Sequence, residues 1–197
     1  MENSQRDLEF LYEIGSLRNI PRGWRQTLGV DCASDLEHTM RVVFLALILA
    51  RRQAEKIDES KLVLMALIHD LPETRTSDLD FVKKDYVQTN EKAAVKDSLI
   101  QTSLQNLEEV FEEFCKRETL EAKLVKDADN LDIDLELKEL TDHGSLVPNK
   151  WADFRQQFRD NKLYTEVAKN FFDEIKVSDP AAWQLTIISK YVNRVAK

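Results

Sequence analysis

An apolar run that leads directly into a histidine, two carboxylates and a proline constrains this chain most. The seven residues Leu62–Ile68 carry no polar side chain. If this run is helical, we expect it to be buried on all sides at the centre of the protein. The residues that follow it include His69, Asp70, Pro72 and Glu73. Pro72 predicts that the helix ends or kinks here, because proline disfavours helical geometry in the residue before it.

The His69–Asp70 pair is a candidate metal site. An imidazole beside a carboxylate on a core helix is costly unless something compensates the buried polar groups. A divalent cation compensates both, since it binds the histidine nitrogen and the carboxylate oxygen together. The alternative to a metal site is a helix end at which the His–Asp pair is hydrogen-bonded within the protein and has only a structural role. Histidine is scarce, with His38 and His143 as the others. His38 falls in the first turn of a helix that the capping-box pattern of residues 34–37 predicts.

The composition favours one helical domain without nucleic-acid or membrane partners. A chain of 197 residues with 43% hydrophobic content forms a sizeable core, and four glycines and four prolines suit long helices. A net charge of -8 argues against duplex nucleic acid. The apolar runs are too short to span a bilayer. Cys32 and Cys115 lack metal-ligand spacing and indicate free thiols of a reducing compartment. We therefore expect a soluble, cytoplasmic protein.

Apolar residues at helical spacing predict several long helices. One covers about residues 119–142, and residues 90–117 form one long amphipathic segment. Residues from about 149 to 197 are expected to supply covering helices. The helix over 119–142 carries more aspartates than a surface helix needs, given the modest helix propensity of aspartate. These are Asp127, Asp129, Asp132 and Asp134. Spacing alone does not single out one of them as a ligand.

The stretch Arg18–Arg25 combines a proline, a glycine and three arginines around Trp24, which predicts a loop. Spacing alone favours a surface connector with Trp24 tucked onto the core. The functional alternative is a ligand contact in which Arg22 binds phosphate and Trp24 stacks on a base.

Several pieces of the chain, taken in order, resemble one protein family. They are the lead-in 17–24, Glu37-His38, the segment 69–73, Asp78, and the segment 124–131. The chain looks like an HD-domain metal-dependent phosphohydrolase, of the branch that contains bacterial 5′-deoxynucleotidases and their eukaryotic HD-domain relatives. Each piece alone is common, but the ordered set is specific. Little of the chain beyond about residue 145 matches.

The resemblance implies an all-α fold, a single globular HD-domain helical bundle of about six or more helices. One domain would cover residues 1–197, with a core metal-site region over about 17–145. The resemblance also implies one divalent cation, which could be Mn, Co, Mg, Zn, Ni or Fe. Its expected ligands are His38, His69, Asp70 and Asp129.

The resemblance assigns further residues to substrate and catalysis. Glu73 would position or deprotonate the attacking water. Asp78 would contact the sugar or assist proton transfer at the leaving group. Arg22 would bind phosphate, and Trp24 would pack on the sugar or base. The implied reaction hydrolyses nucleoside 5′-monophosphates, above all 5′-deoxynucleotides, to nucleoside and phosphate.

Two alternatives to this function stay open. One is a non-catalytic HD-fold protein that binds nucleotides or regulates a partner, and the other is an HD hydrolase of another small phosphorylated metabolite. A non-catalytic relative is expected to lack a metal ligand or Glu73, and neither is missing. The sequence also leaves a homodimer open.

Overall fold

The computed structural model describes residues 2–195, with side chains for residues 5–194. Within this part of the chain the regular elements are helices, apart from one isolated bridge between Pro21 and Ser34, so the predicted all-α fold is confirmed. A 3-10 helix covers Ser16–Asn19. The α-helices are α1 (Glu2–Gly15), α2 (Arg25–Leu28), α3 (Asp35–Arg52), α4 (Glu59–Ile68), α5 (Glu73–Thr76), α6 (Phe81–Lys84), α7 (Glu91–Leu99), α8 (Leu107–Lys116), α9 (Leu120–Asp142), α10 (Val147–Lys162), α11 (Glu166–Val177) and α12 (Ala182–Val195).

Helices α3, α4 and α9 form the centre of the fold, because each packs against the other two. Their buried apolar side chains belong to one continuous core and include Val42, Leu49, Leu62, Met65 and Leu131. Full burial of side chains of this kind contributes about 1.5–3 kcal/mol each. Helix α8 packs on α4 and α9, and helices α10 and α11 pack on α9. The long helix α9 therefore packs against α3, α4, α8, α10 and α11.

The apolar run that ends at Ile68 forms helix α4, as predicted, and the helix ends before Pro72. The expectation that the whole run is buried is wrong. Leu62, Met65 and Ala66 are buried, but Leu64 and Leu67 are 40% and 46% exposed. The helix contacts α3, α8 and α9 over one face, and its opposite face reaches the surface. The run is apolar all round although only one face is covered.

The predicted amphipathic segment over residues 90–117 is broken into two helices. Helix α7 ends at Leu99 and helix α8 begins at Leu107. Gln101 between them has a φ of 60°, a left-handed conformation that no helix interior allows. Helix α8 then ends against another left-handed residue, Arg117, which has a φ of 56°. The break turns α8 onto the core, where Phe111 and Phe114 are buried.

The C-terminal helices differ in how they meet the core. Helices α10 and α11 cover part of α9, in line with the expectation for this region. Helix α12 does not cover the core: each of its described side chains is exposed, and Trp183 and Tyr191 are 64% and 67% exposed. No helix over the described residues combines the length and apolar character needed to cross a membrane.

Candidate active site

The four predicted metal ligands converge at the centre of the fold. His38 lies in the first turn of α3, where Ser34 and Glu37 form the predicted capping box. His69 and Asp70 directly follow α4, and Asp129 lies within α9. The Nε2 atom of His38 is 3.3 Å from both Asp70 Oδ2 and Asp129 Oδ1, and His69 Nε2 is 3.1 Å from Asp70 Oδ2.

The two histidines are oriented through their Nδ1 atoms. His38 Nδ1 lies 2.7 Å from Asp132 Oδ2, and His69 Nδ1 lies 2.8 Å from the carbonyl oxygen of Ala66. Both partners are acceptors, so each neutral ring carries its proton on Nδ1 and presents a lone pair at Nε2. The two Nε2 atoms are 3.3 Å apart. Two lone pairs facing each other at this distance repel unless a metal cation or a proton lies between them.

The donor set fits a divalent cation. Two neutral imidazole nitrogens and two carboxylate oxygens suit first-row divalent metals, and a hydrogen bond to the second nitrogen of each ring is typical of metal-ligating histidines. Although burial opposes it, Lys126 and the two histidines hold the pKa of Asp129 well below its usual value. Burial and Arg22 oppose a proton on His38, but Asp129, Asp132 and Asp70 raise its pKa. A metal and a proton therefore compete for this histidine.

Arg22 is buried beside the metal ligands, which contradicts the interpretation of its segment as a surface connector. Its side chain is 5% exposed, and its Nη1 atom lies 3.1 Å from Asp78, 3.3 Å from Asp70 and 3.4 Å from Asp35. Burial opposes the charge, but Asp78, Asp70 and Asp129 raise the pKa of the guanidinium. The positive charge of Arg22 is thus already matched by carboxylates.

Gly23 allows this close packing. A Cβ atom on Gly23 would lie 2.7 Å from the backbone nitrogen of Asp80, so no larger residue fits. The N–H of Gly23 donates to Asp78 Oδ2 at 2.8 Å. The adjacent Trp24 donates its indole N–H to Glu136 Oε2 at 3.0 Å, and its ring lies 4.4 Å from the guanidinium of Arg22. These contacts fix the loop that contains Arg22, Gly23 and Trp24 against the predicted metal site.

A second group of carboxylates adjoins the ligands. Oxygens of Asp35, Glu73 and Asp78 lie within 4.8 Å of one another. Burial and the neighbouring carboxylates of Asp70, Asp78 and Asp35 raise the pKa of Glu73 to about 12. These neighbours therefore favour the protonated form of Glu73, and a cation bound nearby would favour its ionised form. Asp35, seen in the sequence only as part of the capping box, is fully buried here.

The aspartates of α9 have separate partners, which the sequence did not reveal. Asp127 accepts hydrogen bonds from the backbone of Tyr164 and from Thr165 at the start of α11. Asp134 pairs with Arg155 of α10 at 2.7 Å. Asp132 orients His38 and also pairs with Arg41. Its position three residues after Asp129, on the same helix face, is the sequence signal that could have found it.

A cavity of about 240 Å³ opens onto these residues. Its inner wall consists of the ligands His69, Asp70 and Asp129 with Arg22 and Glu73. Trp24 and Asp78 also line it. We call the remaining wall the outer wall, and it holds no predicted site residue. It includes the aromatic side chains Phe81, Phe114, Trp151, Phe154 and Phe158, several of which pack edge to face. Its charged residues are the cations Lys84, Arg117, Lys126 and Arg155 and the carboxylates Asp80 and Glu91.

Comparison with known families agrees with this geometry. The sequence model of the HD domain family matches residues 14–174, which include all four predicted ligands and the outer wall. The chain belongs to the HD-domain family. The protein named 5′-deoxynucleotidase HDDC2 of Bos taurus is 31% identical over 156 residues, which cover 75% of this chain and 73% of that protein. The protein of the same name from Dictyostelium discoideum is 30% identical over 160 residues, 73% of this chain and 82% of that protein.

Solved structures of proteins from other organisms have a similar fold. A conserved hypothetical protein of Pyrococcus furiosus superposes with a TM-score of 0.72 at 29% identity, covering 86% of this chain and 98% of that one. A protein of Magnetospirillum magnetotacticum, named a predicted metal-dependent phosphohydrolase, superposes with a TM-score of 0.69 at 21% identity. It covers 89% of this chain and 94% of the other, a likeness that concerns the fold.

Proposed function

We propose that this protein is a divalent-metal-dependent phosphomonoester hydrolase that acts on nucleoside 5′-monophosphates, with 5′-deoxynucleotides as preferred substrates. The names of the relatives from Bos taurus and Dictyostelium discoideum support the substrate class. The single observation that carries the proposal is the approach of the two histidine Nε2 atoms to 3.3 Å beside the carboxylates of Asp70 and Asp129.

In this proposal one divalent cation is held by His38, His69, Asp70 and Asp129, and Mn, Co, Mg, Zn, Ni or Fe all remain candidates. A cation at this position supplies Lewis acidity toward the phosphoryl group and the attacking water. The chain supplies the remaining functions. Burial of the histidines at the bottom of a cavity keeps the reacting groups in a medium of low dielectric, where charge interactions are stronger than in water.

Glu73 is the proposed base. It adjoins the ligands, and its ionised form becomes accessible once positive charge offsets the carboxylates around it. It would then accept a proton from the attacking water. Asp78 anchors the lead-in loop through Gly23, and its proposed second role is to meet the sugar or the leaving oxygen. A contact between Arg22 and phosphate stays a prediction, although its charge is already matched by carboxylates.

The nucleoside part of the substrate is proposed to lie between Trp24 and the outer wall. Trp24 is half-buried and held by Glu136, so its ring is in place without reorganisation. The outer wall offers the exposed faces of Phe81 and Phe154, at 54% and 45% exposure. Aromatic faces that border a cavity stack on flat apolar groups such as nucleobases. A location in the cytoplasm, a single domain and a homodimer stay predictions from the sequence.

The test is release of phosphate from a panel of ribonucleoside and deoxyribonucleoside 5′-monophosphates and simple sugar phosphates, each with several divalent metals. The proposal expects hydrolysis that needs metal and is fastest with deoxynucleotides. Equal rates with sugar phosphates would point to another small metabolite. Metal and nucleotide binding without any phosphate release would point to a non-catalytic HD protein.

A further inference from the structure

Arg117 stands out among the cations of the cavity because of its backbone. It follows the last residue of α8 with φ 56° and ψ 26°, the left-handed conformation in which helix ends favour glycine. An arginine at this position is strained relative to glycine. Non-glycine residues persist in this conformation when the surrounding structure requires them, and such positions concentrate at binding and active sites.

The side chain of Arg117 is held in place but is not satisfied. Its guanidinium carbon lies 3.3 Å from the centroid of the Phe114 ring, which supports the planar group from one side. Its Nη1 atom is buried and has no hydrogen-bond partner among the residues that the structure describes. No carboxylate within that part of the chain forms an ion pair with it. A buried donor without an acceptor is costly, so this site favours an anion.

Arg22 and Arg117 each have one buried nitrogen without a hydrogen-bond partner among the described residues, Nε and Nη1 respectively, but their ion pairs differ. Arg22 has three carboxylates within 3.4 Å of a single nitrogen, whereas Arg117 has none within ion-pair distance in the described chain. Lys126 lies on the same wall as Arg117 and pairs with the ligand Asp129 at 2.6 Å. The unmatched positive charge of Arg117 thus borders the same cavity as the predicted metal ligands His69, Asp70 and Asp129.

We propose that the guanidinium of Arg117, supported by Phe114 and flanked by Lys126, binds the phosphoryl oxygens of the substrate. This inference rests on the proposed function and names the phosphate-binding group of the same site. Arginine suits this role because its planar fork donates two parallel hydrogen bonds to phosphate. Because carboxylates already match the charge of Arg22, Arg117 supplies the unmatched positive charge for the phosphate. The phosphate lies between the metal ligands and Arg117, and the base extends along the aromatic side chains of the outer wall.

The variant that tests this inference is Arg117→Gly. It removes the guanidinium and relieves the left-handed backbone, so the protein is expected to fold at least as well as the wild type. Arg117→Lys keeps the positive charge but loses the two parallel N–H donors of the guanidinium. Lys116→Ala is the matched control, because it removes one positive charge from the adjacent, exposed residue. Each metal-loaded protein is titrated with inorganic phosphate by calorimetry, and steady-state kinetics are measured with a nucleoside 5′-monophosphate.

For Arg117→Gly we expect Kd for phosphate and KM for the nucleotide to rise roughly ten- to a hundredfold, the effect of losing a charge-assisted contact. The metal content and melting temperature of Arg117→Gly should not fall. Kd and KM of Arg117→Lys should lie between those of the wild type and Arg117→Gly, and those of Lys116→Ala should match the wild type. Values of Kd and KM within about twofold of the wild type in Arg117→Gly overturn the inference, as does a loss of stability with unchanged phosphate affinity.

Failure of this inference is distinguishable from failure of the proposed function. If the wild type hydrolyses no nucleotide but binds phosphate through Arg117, the anion site stands and the proposed reaction fails. If the wild type hydrolyses nucleotides and Arg117→Gly behaves like the wild type in both measurements, the reaction stands and the anion site is wrong.

Discussion

The two walls of the cavity have opposite electrostatic character. The inner wall carries the carboxylates of Asp70, Glu73, Asp78 and Asp129 together with one buried arginine, and the carboxylate of Asp35 adjoins them. The outer wall carries four cations against two carboxylates, together with five aromatic rings. An excess of buried negative charge favours binding of a cation. An unmatched guanidinium beside aromatic faces favours binding of an anion attached to a flat apolar group. Together the walls are complementary to a metal ion and a nucleoside monophosphate.

The walls also differ in how they are built. The inner wall comes from short motifs, namely the residues that follow α4, the start of α5, the middle of α9 and the loop that contains Arg22. Most of the outer wall comes from the end of α8, the short helix α6 and one face of α10, whereas Lys126 lies in the segment 124–131 of α9. The predicted metal ligands thus lie in short motifs, whereas most of the outer wall is assembled by tertiary packing.

The largest effect should come from removing Arg22, which tests whether it belongs to the inner wall as a structural cation. Arg22→Ala leaves several buried carboxylates without compensation, and we expect the free energy of unfolding of metal-free protein to fall by about 3–5 kcal/mol. Arg117→Gly should not lower the free energy of unfolding. Chemical denaturation measures both, and added divalent metal should restore part of the loss in Arg22→Ala. A change below about 1 kcal/mol would make Arg22 a free ligand-binding group after all.

Glu73 tests whether the inner wall also supplies the base. Glu73→Gln keeps the size of the side chain and removes its ability to accept a proton. Turnover should fall by roughly a hundredfold or more, the scale of general-base removal, while the metal content stays the same. Single-turnover kinetics and elemental analysis check this prediction. Unchanged turnover at saturating substrate would assign the base to Asp78.

The smallest effect concerns the aromatic part of the outer wall. Phe154→Ala removes one partly exposed ring of the cavity. KM for nucleotides should rise roughly fivefold, which corresponds to a loss of about 1 kcal/mol of binding free energy. Hydrolysis of a simple sugar phosphate serves as the control, because it offers no base to stack, and its KM should not change. An equal rise for both substrates would mean that the ring shapes the cavity without contacting the base.

The sequence predicted the inner wall better than the outer one for a physical reason. The residue types at His38, His69 and Asp70 are rare at the start or end of core helices, so their pattern carries information without a structure. Asp129 needed a resemblance, because four aspartates share its helix and the partner of each depends on packing. Arg22 was expected in an exposed loop, since nothing local shows that four carboxylates from other elements surround it.

The fold shows the same limits. Hydrophobic periodicity predicted an all-helical bundle, and the capping box placed the start of α3 correctly. The break between α7 and α8 was missed, because Gln101 adopts its left-handed conformation without a glycine or proline nearby to indicate it. The exposed side of α4, with Leu64 and Leu67, was missed because an apolar surface residue looks like a core residue in the sequence.

The most direct test of the account is the metal content of the purified protein, measured by elemental analysis together with hydrolysis of a deoxynucleoside monophosphate. The account predicts one divalent cation per chain in the wild type and in Glu139→Gln, a control at an exposed residue that pairs with Arg41 outside the site. It predicts no bound metal and no hydrolysis in His69→Ala and Asp70→Ala. Full metal occupancy in either of these variants would contradict it, because the convergence of His38, His69, Asp70 and Asp129 would then have another cause.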